Sequence, residues 1–314
     1  MLVFRGIPER ARVAAVLTIG NFDGVHRGHQ ALLTRLTSHA RGLGLPAAVM
    51  TFEPHPREFF VPESAPTRLT SLREKLALLE ACGINRVHIC RFNARLARQS
   101  AEEFIDRNLV KGLAVRHLIV GDDFRFGKGR TGDFSMLRTL GAARGFTVEA
   151  MQTVDFEGER VSSSAIREAL ADGDLGHAAR LLGRTYAIAG RVVHGDKRGR
   201  TIGFPTANVQ LKRNRPPFCG VFAVEVGGIG AGVRPGVANV GYRPTVDNTQ
   251  RASLEVHLLD FDADLYYAHL MVRFVCKLRD EMKFDGLATL SNQIARDVDA
   301  ARDLFDSRTK QATA

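Results

Sequence analysis

The chain has 314 residues, enough for about two globular domains, and 45% of them are hydrophobic, which excludes a largely disordered protein. Lysine and arginine number 44 against 34 aspartate and glutamate residues, so the formal net charge is +10 at pH 7. Such a surplus suits polyanionic ligands, which include nucleotides and phosphorylated cofactors as well as nucleic acid.

The cysteines and the hydropathy pattern indicate a cytoplasmic protein. Cys82, Cys90, Cys219 and Cys276 have neither C-x-x-C spacing nor the density of a secreted disulfide scaffold. No apolar run approaches the ~18 residues that a membrane span needs. We therefore expect a protein of the reducing cytoplasm with no membrane partner.

Short β-prone runs alternate with helical segments from residue 13 to about residue 120. The runs are AAVLTIG, AAVMTF, RVHIC and HLIVG, and the helical segments cover residues 30–40, 72–82 and 101–109. This alternation predicts an α/β domain with a Rossmann-like parallel sheet covered on both faces. Ligands of such sheets bind at the carboxyl ends of the strands, where the loops GNFDGVHRGH, TFEPHP and VGDDFRFGKG lie.

The first of these loops has the features of a phosphate-binding turn. Gly20 and Gly24 allow the backbone to approach a ligand, and a helix beginning near Gly28 offers N–H groups to phosphate oxygens. His26 and His29 are three residues apart, so both imidazoles can face one side of the first turn and donate to a phosphate. Paired histidines alone are more often structural, and the strand and glycine turn strengthen the functional interpretation.

A second candidate motif is the serine run in VSSSAIREAL, residues 161–170. Serines before a helix commonly act as its N-cap. The functional interpretation adds Arg167, one turn inside the helix, as a clamp on the outer phosphates of ATP.

Together the two motifs resemble the nucleotidylyltransferase superfamily, whose H-x-G-H and S-S-S-x-I-R signatures bracket ATP. The resemblance implies that a substrate phosphate attacks the α-phosphorus of ATP and that pyrophosphate leaves. The protein then supplies positioning and charge stabilisation, because the attacking phosphate is already a nucleophile. By this resemblance His26 and His29 stabilise the transferring phosphate, and Ser164 and Arg167 hold the pyrophosphate.

Longer strings narrow the resemblance within the superfamily. GNFDGVHRGH, TFEPHPREFF, VGDDFRFGKG and VSSSAIR are similar to the FAD synthetase module of bacterial bifunctional flavin enzymes. The resemblance implies that Asp123 contacts nucleotide and that Phe22 belongs to the cofactor-binding turn. It also implies a flavin pocket lined by Pro54, Pro56, Phe60 and Phe126. For the two pocket phenylalanines, ordinary core packing is an equally good interpretation.

The pattern of predicted elements changes after a helical stretch over residues 164–182. GRVVHG, GVFAVEV, PGVANVG, SLEVHLLD and HLMVRFVCKL are typical of short strands without intervening helices. They predict an antiparallel sheet or barrel, with a domain boundary near Arg184 that separates residues 1–184 from residues 185–314. Apolar residues at helical spacing over 287–304 predict an amphipathic helix packed on the barrel.

The segment GRVVHGDKRGRTIGFPTANV opens this second half. A glycine loop containing Gly195, Gly199 and Gly203 and flanked by basic residues can cradle phosphates, although a turn-rich hairpin uses the same residues. Thr206 and Asn208 are two apart, so on an extended segment both can offer oxygen ligands to Mg²⁺. The alternative role for this pair is backbone capping in a turn.

The G-F-P-T-A-N string resembles riboflavin kinase, and the similarity continues to the end of the chain. By this resemblance Thr206 and Asn208 bind Mg²⁺–ATP and Glu255 is the general base. Such a base is needed because the ribityl hydroxyl of riboflavin is a poor nucleophile until its proton is accepted. In the alternating strand SLEVHLLD, Glu255 and His257 share one face, so Glu255 can point away from the barrel core toward substrate. The alternative interpretation of Glu255 is a solvated surface carboxylate. One departure is Tyr267, which stands where the family has glycine in D-L-Y-G.

The two resemblances together imply a bifunctional enzyme whose small-molecule substrates are ATP, riboflavin and FMN. One alternative is a single-activity adenylyltransferase for another substrate, such as nicotinate mononucleotide or phosphopantetheine, with a C-terminal binding module. That alternative leaves G-F-P-T-A-N and Glu255 unexplained. A nucleic-acid-binding protein is the other, but the arginines are scattered through both halves and no basic tail or zinc-finger spacing is present.

Overall fold

The structure is a computed structural model that describes residues 1–195, 203–213, 215–230, 232–244 and 250–313. The chain forms two compact units. The first unit consists of Met1–Pro66 and Lys75–Ser162, and the second consists of Thr67–Glu74 together with the chain from Ser163 onward. The boundary between functional domains near Arg184 stays a prediction.

A six-stranded parallel sheet is the centre of the first unit. Its strands are β1 (Leu2–Arg5), β2 (Ala15–Ile19), β3 (Ala47–Glu53), β4 (Arg86–Arg91), β5 (Val115–Gly121) and β6 (Thr147–Met151). They pair in the order β1-β4-β3-β2-β5-β6, which confirms the predicted parallel sheet. The central strand β2 is buried throughout, with Leu17 and Ile19 in one core and Val16 in the core of the opposite face.

Helices and one short hairpin connect these strands. The connecting elements are α1 (Arg27–Gly42), α2 (Pro56–Phe60), α3 (Leu72–Ala81), α4 (Ala94–Ala97), α5 (Ala101–Phe104), α6 (Phe134–Ala143), β7 (Asp155–Phe156) and β8 (Glu159–Arg160). The predicted helix over residues 101–109 differs from the structure in detail. It is α-helical only to Phe104 and continues as a π-helix over Ile105–Gly112. Its last residue, Gly112, lies so close to Ile7 that a Cβ there would overlap the Ile7 side chain.

The second unit is built around a closed antiparallel barrel. Its elements are α7 (Ser163–Ala171), α8 (Leu175–Leu182), β9 (Ala187–Val193), β10 (Ala207–Val209), β11 (Gly220–Gly227), β12 (Val233–Pro244), β13 (Gln250–Leu258), β14 (His269–Arg279) and α9 (Leu287–Thr313). The barrel closes in the order β10-β13-β12-β11-β14-β9. The predicted barrel and the predicted C-terminal helix are both confirmed.

Alternation along the barrel strands separates an inner core from an outer face. Phe222 and Phe274 are among the largest fully buried side chains and fill the interior. Their neighbours of opposite parity, including Val221 and Ala223, pack outside the barrel against α9. Arg279 on β14 fixes this helix further, because its Nε and Nη2 donate to the carboxylate of Asp297 at 2.9 and 2.8 Å.

None of the described helices combines the length and apolarity that a membrane crossing requires.

A buried ion pair anchors the segment Thr67–Glu74 within the second unit. Arg213 has a side chain only 1% exposed, and its Nη2 donates to Oε2 of Glu74 at 2.6 Å. Its Nη1 donates to the hydroxyl of Tyr186 at 2.6 Å and to the carbonyl of Leu69 at 3.1 Å. One guanidinium therefore satisfies a carboxylate, a hydroxyl and a carbonyl at once.

Arg213→Lys is expected to lower the free energy of unfolding by about 1–3 kcal/mol, because the ammonium cannot reproduce the fork and leaves buried acceptors unsatisfied. Urea denaturation followed by circular dichroism measures the change. The matched control is Arg302→Lys. Arg302 pairs with the exposed Asp260, so its replacement should lower the free energy of unfolding clearly less than Arg213→Lys does. Equal losses in the two variants would show that the buried Arg213 network stabilises the protein no more than the exposed ion pair of Arg302 does.

Candidate functional sites

A cavity of about 850 Å³ lies in the first unit at the carboxyl ends of its strands. The loops after β2, β3, β4 and β5 all contribute to its wall, as expected for a parallel sheet. Among the predicted site residues, those that line it are Gly20, Pro56, Phe60, Asp123 and Phe126. Pro54 lies directly after β3 and is not among the lining residues.

An aromatic wall forms one side of this cavity. Phe59, Phe60 and Phe92 are in mutual edge-on contact, with ring centroids 5.2 to 5.5 Å apart. Phe60 is 61% exposed although it is a large apolar side chain. Exposed rings around a pocket fit a planar aromatic ligand better than they fit ordinary core packing.

Two members of this wall were not predicted from the sequence. Phe59 lies in the same FF pair as Phe60, and Phe92 lies two residues after the predicted strand RVHIC. Their position after strands was the available signal. Phe126, in contrast, is 6% exposed and packs in the hydrophobic core as well as lining the cavity, so both interpretations of this residue apply.

Basic side chains also line this cavity. Its lining includes Arg57, Arg125, Lys128 and Arg130. Cations of this density suit a phosphorylated ligand. Asp123 is mostly exposed, and one carboxylate oxygen lies 3.6 Å from Nη2 of Arg160.

The glycine turn after β2 is packed on a buried ring. Phe22 is 2% exposed and adopts a left-handed backbone (φ +49°), as does Gly24 (φ +83°). A Cβ on Gly20 would lie 3.0 Å from the ring of Phe22. Phe22 therefore supports the turn from within the core and is not among the residues that line the cavity.

The paired histidines lie at the amino end of α1. His26 is the N-cap, and its Nδ1 accepts a hydrogen bond from the backbone N–H of His29 at 3.4 Å. The two rings stack with centroids 3.6 Å apart. Gly28 permits this arrangement, because a Cβ there would already lie 3.2 Å from the His26 ring. The structure thus brings both imidazoles together where the helix dipole favours an anion.

Ser164 and Arg167 belong to α7 of the second unit. Arg167 is half-buried, and its Nε donates to the carbonyl of Thr67 at 2.6 Å while Nη1 donates to the carbonyl of Ser163 at 3.1 Å. Ser164 is exposed. Their predicted cooperation with the paired histidines in binding ATP stays a prediction.

A row of polar residues crosses three strands of the barrel. Asn208 on β10 is in register with Glu255 on β13, and Glu255 is in register with Asn239 on β12. Leu254 and Val256 are buried on either side of the half-buried Glu255, as the alternation predicted. The row therefore belongs to the outer face of the barrel.

Asn239 was missed in the sequence. Its Oδ1 is buried and has no hydrogen-bond partner among the described residues, an arrangement that costs stability and suits a site that receives a ligand. A polar residue alternating with valine in PGVANVG was the only signal.

Thr206 lies directly before β10 and lines a second cavity of about 370 Å³. Loop residues on its other side include Phe261, Asp264 and Tyr266. Asn208 is not among the lining residues of this cavity. Thr206 therefore lines this cavity and Asn208 does not, and their joint binding of Mg²⁺ stays a prediction.

The glycine loop is described only in part. Gly195 packs against Asn208, since a Cβ on Gly195 would lie 2.5 Å from Cγ of Asn208 and closer still to its amide nitrogen. Gly203 is exposed and left-handed (φ +85°). Gly199 lies outside the described residues, as do the basic residues Lys197, Arg198 and Arg200.

Comparison with known proteins accounts for both halves. Residues 9–165 match the FAD synthetase family model, and residues 182–305 match the riboflavin kinase family model. The bifunctional riboflavin kinase/FMN adenylyltransferase of Pseudomonas fluorescens is 56% identical over 92% of this chain and 92% of its own length. This chain belongs to the bifunctional riboflavin kinase/FMN adenylyltransferase family. The member of that family from Escherichia coli K12 is 53% identical over 97% of this chain and 98% of its own length.

A solved structure supports the fold of the whole chain. The crystal structure titled as a macrolide-efflux protein from Streptococcus pneumoniae is 30% identical, with a TM-score of 0.82, and the match covers 96% of this chain and 99% of that one. The riboflavin kinase match of the second half excludes the alternative of an adenylyltransferase with an unrelated C-terminal binding module.

Tyr267 departs from the family's D-L-Y-G string, and its conformation explains why glycine fits there. Its φ is +66°, in the left-handed region that L side chains rarely adopt. The phenol is held by a contact of 3.2 Å between its hydroxyl and Nε2 of His194, whose ring also packs on Tyr266 at 4.0 Å. Contacts of this kind offset part of the backbone strain.

Proposed function

We propose that the chain carries out both reactions of its family, ATP-dependent phosphorylation of riboflavin to FMN and adenylylation of FMN to FAD with release of pyrophosphate. The observation that carries this proposal is that both family models match, one after the other, in a chain that spans nearly the full length of its relatives. The adenylyl transfer is assigned to residues 1–184 and the kinase reaction to residues 185–314.

In the kinase reaction, Glu255 is the proposed general base. Its carboxylate accepts the proton of the ribityl 5′-hydroxyl while that oxygen bonds to the γ-phosphorus of ATP and the bond to ADP breaks. Support comes from its half-buried place on the outer face of the barrel, in register with Asn208 and Asn239. A carboxylate in this row is oriented by the strand and not by a mobile loop.

Thr206 and Asn208 are the proposed ligands for Mg²⁺. A hydroxyl and a carboxamide oxygen are hard donors of the kind that Mg²⁺ prefers, so the residues present fit the ion. When bound with ATP, Mg²⁺ neutralises charge on the phosphates. Gly195 supports this assignment because its lack of a side chain lets the loop backbone approach Asn208 closely.

In the adenylyl transfer, the FMN phosphate attacks the α-phosphorus and the bond to pyrophosphate breaks. His26 and His29 are proposed to donate hydrogen bonds to the transferring phosphate from the amino end of α1. The flavin ring is proposed to lie against the aromatic wall of Phe59, Phe60 and Phe92. Ser164 and Arg167 are proposed to hold the leaving pyrophosphate.

A cytoplasmic location is part of the proposal. Cys82, Cys90, Cys219 and Cys276 are all free thiols, as expected for a protein of a reducing compartment.

Incubation of the full-length protein with riboflavin, ATP and Mg²⁺, followed by chromatographic separation of flavins, tests the proposed function. FMN should appear first and FAD should follow at its expense. Omission of Mg²⁺ should stop both steps. Formation of neither product under these conditions would overturn the assignment.

Gly195→Ala is expected to lower the rate of FMN formation by at least about 10-fold, because the new Cβ displaces the Asn208 carboxamide and a misplacement of about 1 Å in a phosphoryl-transfer site is costly. FAD formation from supplied FMN should be unaffected. Gly286→Ala is the matched control, since a Cβ there meets nothing within 4 Å. An unchanged kinase rate in Gly195→Ala would show that the position of the Asn208 carboxamide does not matter for FMN formation.

A further inference from the structure

Three potential metal ligands meet beneath the last turn of α1, on the face of the sheet that this helix covers. His39 comes from α1, His117 from β5 and Glu149 from β6, and one ligand atom from each lies within 4.8 Å of the other two. Nε2 of His39 is 3.2 Å from Oε2 of Glu149, and Nε2 of His117 is 3.5 Å from the same oxygen. The two imidazole rings stack with centroids 4.4 Å apart.

The two ring nitrogens of His117 have different surroundings. Nδ1 lies 2.7 Å from the hydroxyl oxygen of Thr147, and that oxygen lies 3.4 Å from the carbonyl of Arg116. When the hydroxyl donates to this carbonyl it accepts from Nδ1–H, which is the tautomer that leaves Nε2 free to bind a metal. Nε2 is buried and has no hydrogen-bond partner among the residues that the structure describes. A buried ring nitrogen without a partner, 3.5 Å from a carboxylate oxygen, suits a bound cation.

Arg35 holds the carboxylate of Glu149 in place mainly through its other oxygen. Nε of Arg35 donates to Oε1 at 2.8 Å, and Nη2 makes a longer contact of 3.5 Å with Oε2. Oε2 is also the oxygen close to Nε2 of both histidines. Two imidazole nitrogens and one carboxylate oxygen therefore converge on the same small volume.

We propose that His39, His117 and Glu149 form a binding site for a divalent transition metal of the Zn²⁺ class. Ligands at zinc distances of 2.0–2.1 Å in a tetrahedral site are about 3.3 Å apart. The two separations that involve Glu149, 3.2 and 3.5 Å, already match this value, and the ligand atoms of the two histidines lie within 4.8 Å of each other. Two imidazoles and one carboxylate select such a metal over Mg²⁺, which prefers oxygen ligands. Thr147 is a positioning residue that orients His117 through Nδ1, as outer-shell partners of zinc histidines do.

The site is separate from the one proposed for adenylyl transfer. Ten residues of α1 separate His39 from His29, which corresponds to about 15 Å along the helix axis. A metal bound here joins the carboxyl end of α1 to β5 and β6. Its effect is therefore structural, holding in place the helix whose other end carries the paired histidines.

Titration of the metal-free, full-length protein with Zn²⁺ by calorimetry, in excess Mg²⁺ to occupy oxygen-based sites, tests the proposal. One equivalent should bind, and Co²⁺ in its place should give the visible absorption of tetrahedral Co²⁺. His39→Asn and Glu149→Gln should each weaken this binding at least about 10-fold. His39 is a third exposed, so the first variant does not depend on a buried replacement for correct folding.

Controls separate this site from other histidines. His177→Asn, in α8, and His29→Ala, at the paired histidines, should both retain the equivalent that His39→Asn loses. Thr147→Val should weaken Zn²⁺ binding by about 10- to 100-fold, the effect of removing an outer-shell partner. Absence of saturable Zn²⁺ binding, or equal binding by wild type, His39→Asn and Glu149→Gln, would overturn the proposal and leave the cluster as an ion-pair network alone.

Discussion

Glu255→Gln is expected to lower FMN formation from riboflavin by about 10²- to 10⁴-fold, the usual contribution of a general base. The amide is nearly isosteric with the carboxylate, so the barrel strand and its register with Asn208 should be retained. It cannot accept the proton of the ribityl hydroxyl at neutral pH, however. Initial rates of FMN formation, measured by separation of flavins, give the effect, and the rate of FAD formation from supplied FMN should be unchanged.

The matched control for this variant is Glu225→Gln. Glu225 is also half-buried on a barrel strand, β11, but it is in register with Pro235 and Arg273 and lies outside the Asn208 row. Its replacement should leave both reactions within about twofold of wild type. Survival of the kinase rate in Glu255→Gln, or an equal loss in both variants, would remove Glu255 from the role of base.

His29→Ala is expected to lower FAD formation from FMN and ATP by about 10²- to 10³-fold, the cost of removing one donor that stabilises a charged transition state. The imidazole stacks on His26 and packs against Phe22 at 5.0 Å, so its position is fixed before ATP binds. The backbone N–H of residue 29 still donates to His26 in the variant, which preserves the helix cap. FMN formation from riboflavin should continue at the wild-type rate.

His177→Ala is the matched control for this prediction. His177 occupies the third position of α8, after a glycine, as His29 occupies the third position of α1, and its backbone N–H likewise donates to the N-cap, Asp174, at 2.8 Å. The two substitutions therefore change helix propensity alike. A similar loss of FAD formation in both variants, or no loss in His29→Ala, would contradict the role assigned to His29.

The central strands were predictable because burial on both faces produces continuous apolar runs such as AVLTI in β2. The edge strands β1 and β6 were not, since β1 is exposed along its length and β6 carries Glu149 in an otherwise short apolar segment. The π-helical continuation over Ile105–Gly112 was not predicted from the spacing of apolar residues, and the close approach of Ile7 to Gly112 is a contact between segments far apart in sequence.

The positions of candidate residues were predictable where they depend on local structure. The meeting of His26 and His29 at the amino end of α1 and the outward alternation of Glu255 both follow from short-range geometry, whereas the roles of these residues stay predictions. Phe92 and Asn239 were missed because each reaches its site only through the pairing of strands distant in sequence. The cluster of His39, His117 and Glu149 has no sequence spacing that would indicate a metal site, since each ligand comes from a different element.

The central claim is that one chain holds two independent reaction sites, and the double variant Glu255→Gln/His29→Ala tests it most directly. FMN formation from riboflavin and FAD formation from supplied FMN are measured separately in the double variant and in both single variants. With independent sites, the kinase rate of the double variant equals that of Glu255→Gln and its adenylylation rate equals that of His29→Ala, each within about twofold. Loss of both reactions in either single variant would contradict the account.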